Sequence, residues 1–314
     1  MKDKKMKKNI KKCSKKVNYQ FKLIKKLNIH NDIIISILIF PSGNLISLSN
    51  DKSIKIWDNQ FNLLQCIEEE NPISFIDIKN DNNYISCSTC FIKIWIKNNN
   101  KFEINEKILD VNNSNFIKIK YYLNDYIISS SCDKTIKILK NIYDKYQYIT
   151  IIKFYELISF LLLEDTNILI TSGYDKTTFW NMNTFEIIFT VENFKSDYFY
   201  YFKNSICKLD KDRIIIVKGN DYILKVISIS KRKVIKQIDN QFGCYGVYLI
   251  KNKSIFLTYG DSDVIKIYKS DNYKLIYDIK YESENIIKGL IQFKNNLILS
   301  YLDSGEIQIW EIGE

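Results

Sequence analysis

The stretch "SNDKSIKIWD", residues 49–58, is a polar turn followed by a short run alternating apolar and charged residues, closed by Trp-Asp. It is either a single strand or one copy of a unit that builds the chain. The run recurs as "IKIWI" at 92–96, "IKILK" at 136–140, "TTFWN" at 177–181, "LKVIS" at 224–228, "IKIYK" at 265–269 and "IQIWE" at 307–311. Its landmark residues are Trp57, Trp95, Leu139, Trp180, Ile227, Tyr268 and Trp310, spaced 38, 44, 41, 47, 41 and 42 apart. The mean, about 42, lies in the ~40–45 residue band of four-stranded propeller blades.

Each copy has the same internal order. An apolar run such as 33–40 comes first, then a tight polar turn such as "PSG" at 41–43 or "KNK" at 251–253. A second β-rich run follows, then an Asp-containing turn, the landmark strand, and a fourth alternating strand such as "TFEIIFTV" or "YKLIYDI". Period-two Ile, Val, Tyr and Phe between Asn/Asp turns is a strand signal. With only nine glycines in the chain, Asn and Asp are expected at many left-handed turn positions.

On these motifs the chain resembles the WD40-repeat family over residues 19–314. The resemblance implies an all-β fold, a seven-bladed propeller of four-stranded antiparallel blades. It also implies a hydrogen-bonded tetrad, matched here by His30, Ser47, Asp51 and Trp57, with Ile29 where a glycine commonly precedes the histidine. Ser129 with Asp133, and Thr171 with Asp175 and Trp180, match in part. His30 is the only histidine, so the other blades are expected to rely on apolar packing and strand ladders, with fewer inter-strand side-chain bonds.

The chain stops four residues after Trp310, so the seventh unit lacks its own fourth strand, and a bare edge there invites aggregation. The segment "YQFKLIKKL", residues 19–27, has the pattern of the other fourth strands. It is expected to pair onto residues 306–310 and close the ring, leaving residues 1–18 as a lysine-rich tail.

Residues 1–16, "MKDKKMKKNIKKCSKK", hold nine lysines and one aspartate, so +8 of the net +10 belongs to this segment. The rest of the chain is nearly neutral, about +2. The tail is too poor in apolar residues to order itself. It reads as a solubilising arm, an import signal, or an arm for RNA or another polyanion through Lys4, Lys5, Lys7, Lys8, Lys11, Lys12, Lys15 and Lys16. Arg213 and Arg232 are the only arginines, which disfavours two-pronged recognition of phosphate or guanine. Lys2 stands where myristoylation needs glycine. Apolar runs are too short for a membrane-spanning helix of about 20 residues. No apolar signal follows the start, and the seven cysteines read as reduced thiols of an intracellular protein, cytoplasmic or nuclear.

No Gly-rich phosphate loop appears, and a catalytic triad would have to use His30, whose structural place in the tetrad is the simpler reading. Cys87 and Cys90 in "CSTC", with Cys132 in the equivalent turn, have metal-like spacing but no second pair, so no metal is assigned. No cofactor and no small-molecule substrate are expected. The sharpest interaction candidate is the longest inter-blade connection, "ENFKSDYFYYFKNS" at 192–205, with Phe194, Tyr198, Phe199, Tyr200 and Tyr201. Tyr174, Tyr222, Phe242, Tyr245, Tyr259 and Tyr301 are expected on the same face, near Glu68, Glu69, Glu70, Glu282 and Glu284. Rigidly held aromatics are effective protein-binding anchors. The paired-arginine motif of phosphoinositide-binding propellers is absent, and Trp57 is followed by Asp58-Asn59-Gln60, not by the Trp-Asp-x-Arg of ubiquitin-ligase adaptors. The expected function is a non-catalytic scaffold presenting a rigid face to proteins of a larger complex. The alternative is a nuclear or nucleolar ribonucleoprotein component that uses the lysine tail.

Overall fold

A computed structural model describes residues 19–88, 91–109, 116–123, 125–154, 157–173, 176–192, 205–217, 222–240, 243–260, 264–281 and 285–313. All regular structure among them is β-strand, arranged as seven four-stranded antiparallel sheets. Blade 1 takes residues 34–68, blade 2 75–108, blade 3 116–153, blade 4 157–192, blade 5 206–239 and blade 6 244–280. Blade 7 joins residues 287–313 to Gln20–Asn28, drawn from the other end of the chain. Strands are lettered a to d from the axis outward, in chain order except in blade 7.

Gln20–Asn28 pairs antiparallel with Glu306–Gly313, Leu23 opposite Trp310 and Asn28 opposite Glu306. This is the expected closure, extended to the end of the strand. A finer detail marks it as a true fourth strand. In blades 1 to 6 the d strand shifts register at the landmark residue, as between Ile56 and Trp57 or Ile267 and Tyr268. Blade 7 shifts between Leu23 and Lys25, beside Trp310. A bulge there bends every outer edge and makes it a poor template for further pairing.

The strands are amphipathic on both faces because each sheet packs between two others. The buried apolar side chains accordingly form seven clusters, one for each neighbouring pair of blades. Ile46, Ile54, Tyr84 and Trp95 sit between blades 1 and 2. Leu169 of blade 4 meets Ile128 and Ile138 of blade 3. Ile34 and Leu45 of blade 1, with Ile29 in the connection leading into it, meet Leu299, Tyr301 and Ile307 of blade 7, which closes the circle. The contact between first and last blades is therefore a core, not only a ladder of backbone bonds.

The left-handed turn positions differ from expectation. Among the described residues fourteen non-glycine positions have positive φ, of which only Asn99, Asn100, Asp144 and Asn167 are Asn or Asp; others include Lys52, Lys134, Tyr222 and Tyr273. The acidic and amide residues instead act one position earlier, through their side chains. Asp51 Oδ1 accepts the Ser53 N–H at 3.0 Å and Asp133 Oδ1 the Thr135 N–H at 3.0 Å. The side chain shapes the turn, and the next residue takes the left-handed conformation.

Candidate functional site

The upper face carries the b–c turns and the connections from each d strand to the next blade. In blade 1 a continuous side-chain network crosses it. The Trp57 indole N–H donates to Ser47 Oγ at 2.9 Å, and Ser47 Oγ lies 2.7 Å from His30 Nε2. His30 Nδ1 lies 2.9 Å from Asp51 Oδ2, which also accepts the Asn31 N–H at 3.1 Å. Since the indole is only a donor, the Ser47 hydroxyl is free to donate to Nε2, and Nδ1–H then donates to the carboxylate. His30 is a neutral imidazole. Burial pushes its pKa below the ordinary histidine value despite the hydrogen bond and charge of Asp51. Burial alone would raise the Asp51 carboxyl, but hydrogen bonds from Ser53, Asn31 and His30 hold it well below the usual carboxylate range.

Both folded pKa values lie below the unfolded ones, so on the acid side the unfolded chain binds more protons and stability rises with pH. The His30 contribution is complete above about pH 6.5 and is lost as pH falls below it; the Asp51 contribution is lost below about pH 4. Urea midpoints should therefore fall between about pH 7.5 and 5.5. His30→Asn should cost about 1–3 kcal/mol at the upper pH by stranding buried partners, and should flatten that slope. An unchanged slope in the variant would place the titration elsewhere.

The other blades keep more of this bonding than expected. The Trp95 indole donates to Ser86 Oγ at 2.8 Å, Trp180 to Thr171 Oγ1 at 2.9 Å and Trp310 to Ser300 Oγ at 2.9 Å. In blade 6 the Tyr268 and Thr258 hydroxyls both reach Asn240 Oδ1, at 2.9 and 3.1 Å. Asn240 precedes blade 6 as His30 precedes blade 1, 28 residues before its landmark against 27. It is a histidine substitute whose signal lay in the spacing. Blades 3 and 5 carry Leu139 and Ile227, which can donate nothing, and both are fully buried. Apolar packing replaces the bond only there.

The expected aromatic face is partly corrected. Tyr222 is 50% exposed in the b–c turn of blade 5, and Tyr245 is half-buried. Tyr259 and Tyr301 are buried, at 3% and 5% exposure, and cannot serve as exposed anchors. Gly246 stands opposite Tyr259 and Gly289 opposite Tyr301 on the neighbouring strand. Each ring lies over its glycine, so close that a Cβ there would fall 2.2 or 2.0 Å from the phenolic oxygen. Tyr174, Phe194, Tyr198, Phe199, Tyr200, Tyr201, Phe242 and the tail lysines lie outside the described residues. So do Asp175, Glu282, Glu284 and Cys90, while Cys87 is buried and Cys132 half-buried. Among the described residues no group of three or more His, Cys, Asp or Glu is placed to hold a metal ion.

The inner strands bring together titratable groups that sequence reading did not single out. Asp77, Lys120, Cys207 and Tyr248 occupy one register position on the a strands of blades 2, 3, 5 and 6. Lys118 stands two residues before Lys120 and donates to the Phe160 carbonyl at 2.8 Å. Burial, with the nearby Lys120 charge, pushes Lys118 down to about 8, and burial pushes the Cys207 thiol up to about 11. Burial also raises Asp77, against the pull of Lys120. Lys120 Nζ lies 4.0 Å from Asp77 and 3.6 Å from Glu164. Lys120 thus stands between two carboxylates, while Lys118 is held on a backbone carbonyl. These groups were illegible in sequence because only the register of separate blades aligns them.

The WD40 family model, described as WD domain, G-beta repeat, matches residues 21–58. The match starts in the d strand of blade 7 and ends just after the landmark tryptophan of blade 1, so the sequence unit straddles two blades. No curated protein matches the chain. No helix among the described residues is long and apolar enough to cross a membrane. With a matched WD40 repeat, its side-chain tetrad in place and seven four-stranded blades closed into a ring, the chain is a seven-bladed β-propeller that carries a WD40 repeat at residues 21–58.

Proposed function

We propose that this propeller is a non-catalytic, intracellular scaffold that presents its upper face to protein partners in a multiprotein assembly. The observation that supports it most is the closed disc, in which the first and last blades share both a sheet and a core. A surface fixed before binding loses little freedom when a partner docks. Tyr222, half exposed just before the c strand of blade 5, is the described anchor on that face. The loop at 192–205 is proposed to supply the others. His30 is occupied inside blade 1, and Lys120 on the inner strand of blade 3 faces Asp77 and Glu164 of the neighbouring blades, an arrangement suited to holding blades together.

The test is quantitative affinity purification with the tagged full chain and with a variant carrying Tyr222→Ala, Tyr198→Ala and Tyr200→Ala. The expected result is a set of proteins retained by the parent and lost by the variant, with unchanged melting. Recovery of the same proteins on both chains would overturn the reading.

A further inference from the structure

The lower face carries the a–b and c–d turns, and its inner rim is divided in charge. The a–b turns of blades 2 to 5 hold Asp81, Asp125, Glu164, Asp165, Asp210 and Asp212 against one lysine, Lys211. Those of blades 6 and 7 hold Lys251 and Lys253, with Lys294 ending the a strand of blade 7, and no acidic residue. Between these two basic turns lies a cleft of about 250 Å³. It is lined by Tyr248, Lys251 and Asn252 of blade 6 and by residues 292–295 of blade 7.

At other junctions carboxylates tie neighbouring blades together. Asp81 accepts the Ser42 N–H of blade 1 at 2.8 Å, Asp77 accepts the Tyr121 N–H of blade 3 at 2.8 Å, and Asp165 pairs with Lys208 of blade 5 at 2.6 Å. Between blades 6 and 7 neutral groups do this work. The Tyr248 hydroxyl accepts the Gln292 N–H at 2.9 Å, and Gln292 Oε1 accepts the Lys251 N–H at 3.3 Å. Gln292 Nε2 also donates to the Asn295 carbonyl at 3.2 Å, and Phe293 packs against Phe61 with ring centroids 5.3 Å apart. The cleft is therefore preformed without any charge of its own to offset its lysines. Lys251 and Lys294 are exposed, and neither has a carboxylate within ion-pair distance among the described residues. Lys294 Nζ lies 5.0 Å from the centroid of the Phe293 ring.

From this geometry we infer that the blade 6–7 cleft is a docking site for a short acidic peptide segment of a partner protein. Its carboxylates meet Lys251 and Lys294 as point charges, its backbone meets the amides of Asn252 and Asn295, and its methylene groups pack on Phe293. A long polyanion fits less well. The adjoining turn of blade 5 presents Asp210 and Asp212, so a nucleic-acid strand that follows the rim meets like charge. No arginine lines the cleft to grip phosphate with two prongs. The acidic rim of a second copy is also a poor occupant, because its carboxylates are already engaged. Asp165 holds Lys208, Asp210 accepts from Arg213 Nε at 2.6 Å, and Asp212 accepts from the Ser228 hydroxyl at 2.7 Å. The site goes beyond the scaffold reading and uses the opposite face, so either stands if the other fails.

The experiment is fluorescence anisotropy of labelled hexaglutamate with the full chain, at about 50 mM salt, where exposed charges are little screened. It compares the parent with Lys251→Ala/Lys294→Ala and with Lys22→Ala/Lys26→Ala, which removes the same charge from exposed positions on the outer strand of blade 7. Melting curves check that each variant is folded. The cleft variant should bind on the order of 10-fold more weakly, the loss of two partly exposed ion pairs. The outer-strand variant should stay within about twofold of the parent. Equal loss in the two variants, or no binding of hexaglutamate by the parent, would overturn the inference. Tighter binding of an oligouridylate with the same dependence on Lys251 and Lys294 would overturn it in favour of nucleic acid. A dimer of the parent that the cleft variant loses would overturn it in favour of a second copy.

Discussion

Deletion of residues 20–28 is expected to abolish cooperative thermal unfolding of the propeller, or to lower its midpoint by about 10–20 °C. The deletion removes the whole d strand of blade 7 and its ladder to Glu306–Gly313. Phe21 and Leu23, packed on the blade 6–7 core, and Leu27, packed on the blade 7–1 core, leave with it. Their burial contributes about 4–5 kcal/mol. The loss also uncovers Trp310 and Ile312, now at 5% and 1% exposure, and leaves a hydrophobic edge open to intermolecular pairing. Marginal stability of about 5–15 kcal/mol does not absorb such a change. Circular dichroism melts would measure the effect, and a synthetic peptide of residues 19–28 added in trans should restore the transition saturably. A deleted chain melting within a few degrees of the parent would mean that the ring is not sealed by this strand.

The second large effect is expected at Gly260. A Cβ on this buried residue would sit 1.7 Å from the Gly243 carbonyl oxygen and 3.1 Å from the Cys244 Cα. Both obstacles are backbone, so no side-chain rotation relieves the clash. Cys244 pairs with Gly260 across the a and b strands of blade 6 and lies, with Val247, in the core shared with blade 5. Gly260→Ala must displace that strand, at a cost of about 3 kcal/mol or more. Gly43→Ala is the control. Gly43 has φ +91 with no atom within 4 Å of a built Cβ, so its penalty is conformational alone, about 1–2 kcal/mol. Urea midpoints of the two variants should differ in that order. Equal midpoints would show that blade 6 tolerates the shift, and the close approach would then have no structural weight.

The seven landmark strands, their spacing and the orphaned fourth strand at the start were legible in the sequence, because each is a local pattern of alternation and turn chemistry. So was the tetrad of His30, Ser47, Asp51 and Trp57, whose members share one repeat. Asn240 was legible in principle. It stands where a histidine would, but an asparagine before a strand reads first as a turn residue. Tyr259 and Tyr301 were not legible as buried residues. Their hiding places are Gly246 and Gly289, each in register on another strand, and a one-residue slip would have turned the rings to the opposite face.

The amino-acid sequence by itself determined the strand order, the number of blades and the need to seal them with residues from the chain's start. Hydrophobic alternation is a property of neighbours along the chain, and it survives any arrangement in space. Only the tertiary structure decided which aromatics are exposed, that Lys120 stands between Asp77 and Glu164, and that Tyr19 is tied to the a–b turn of blade 6. Those are relations between residues up to 234 positions apart. They follow from how one blade stacks on the next, which nothing within a single repeat encodes.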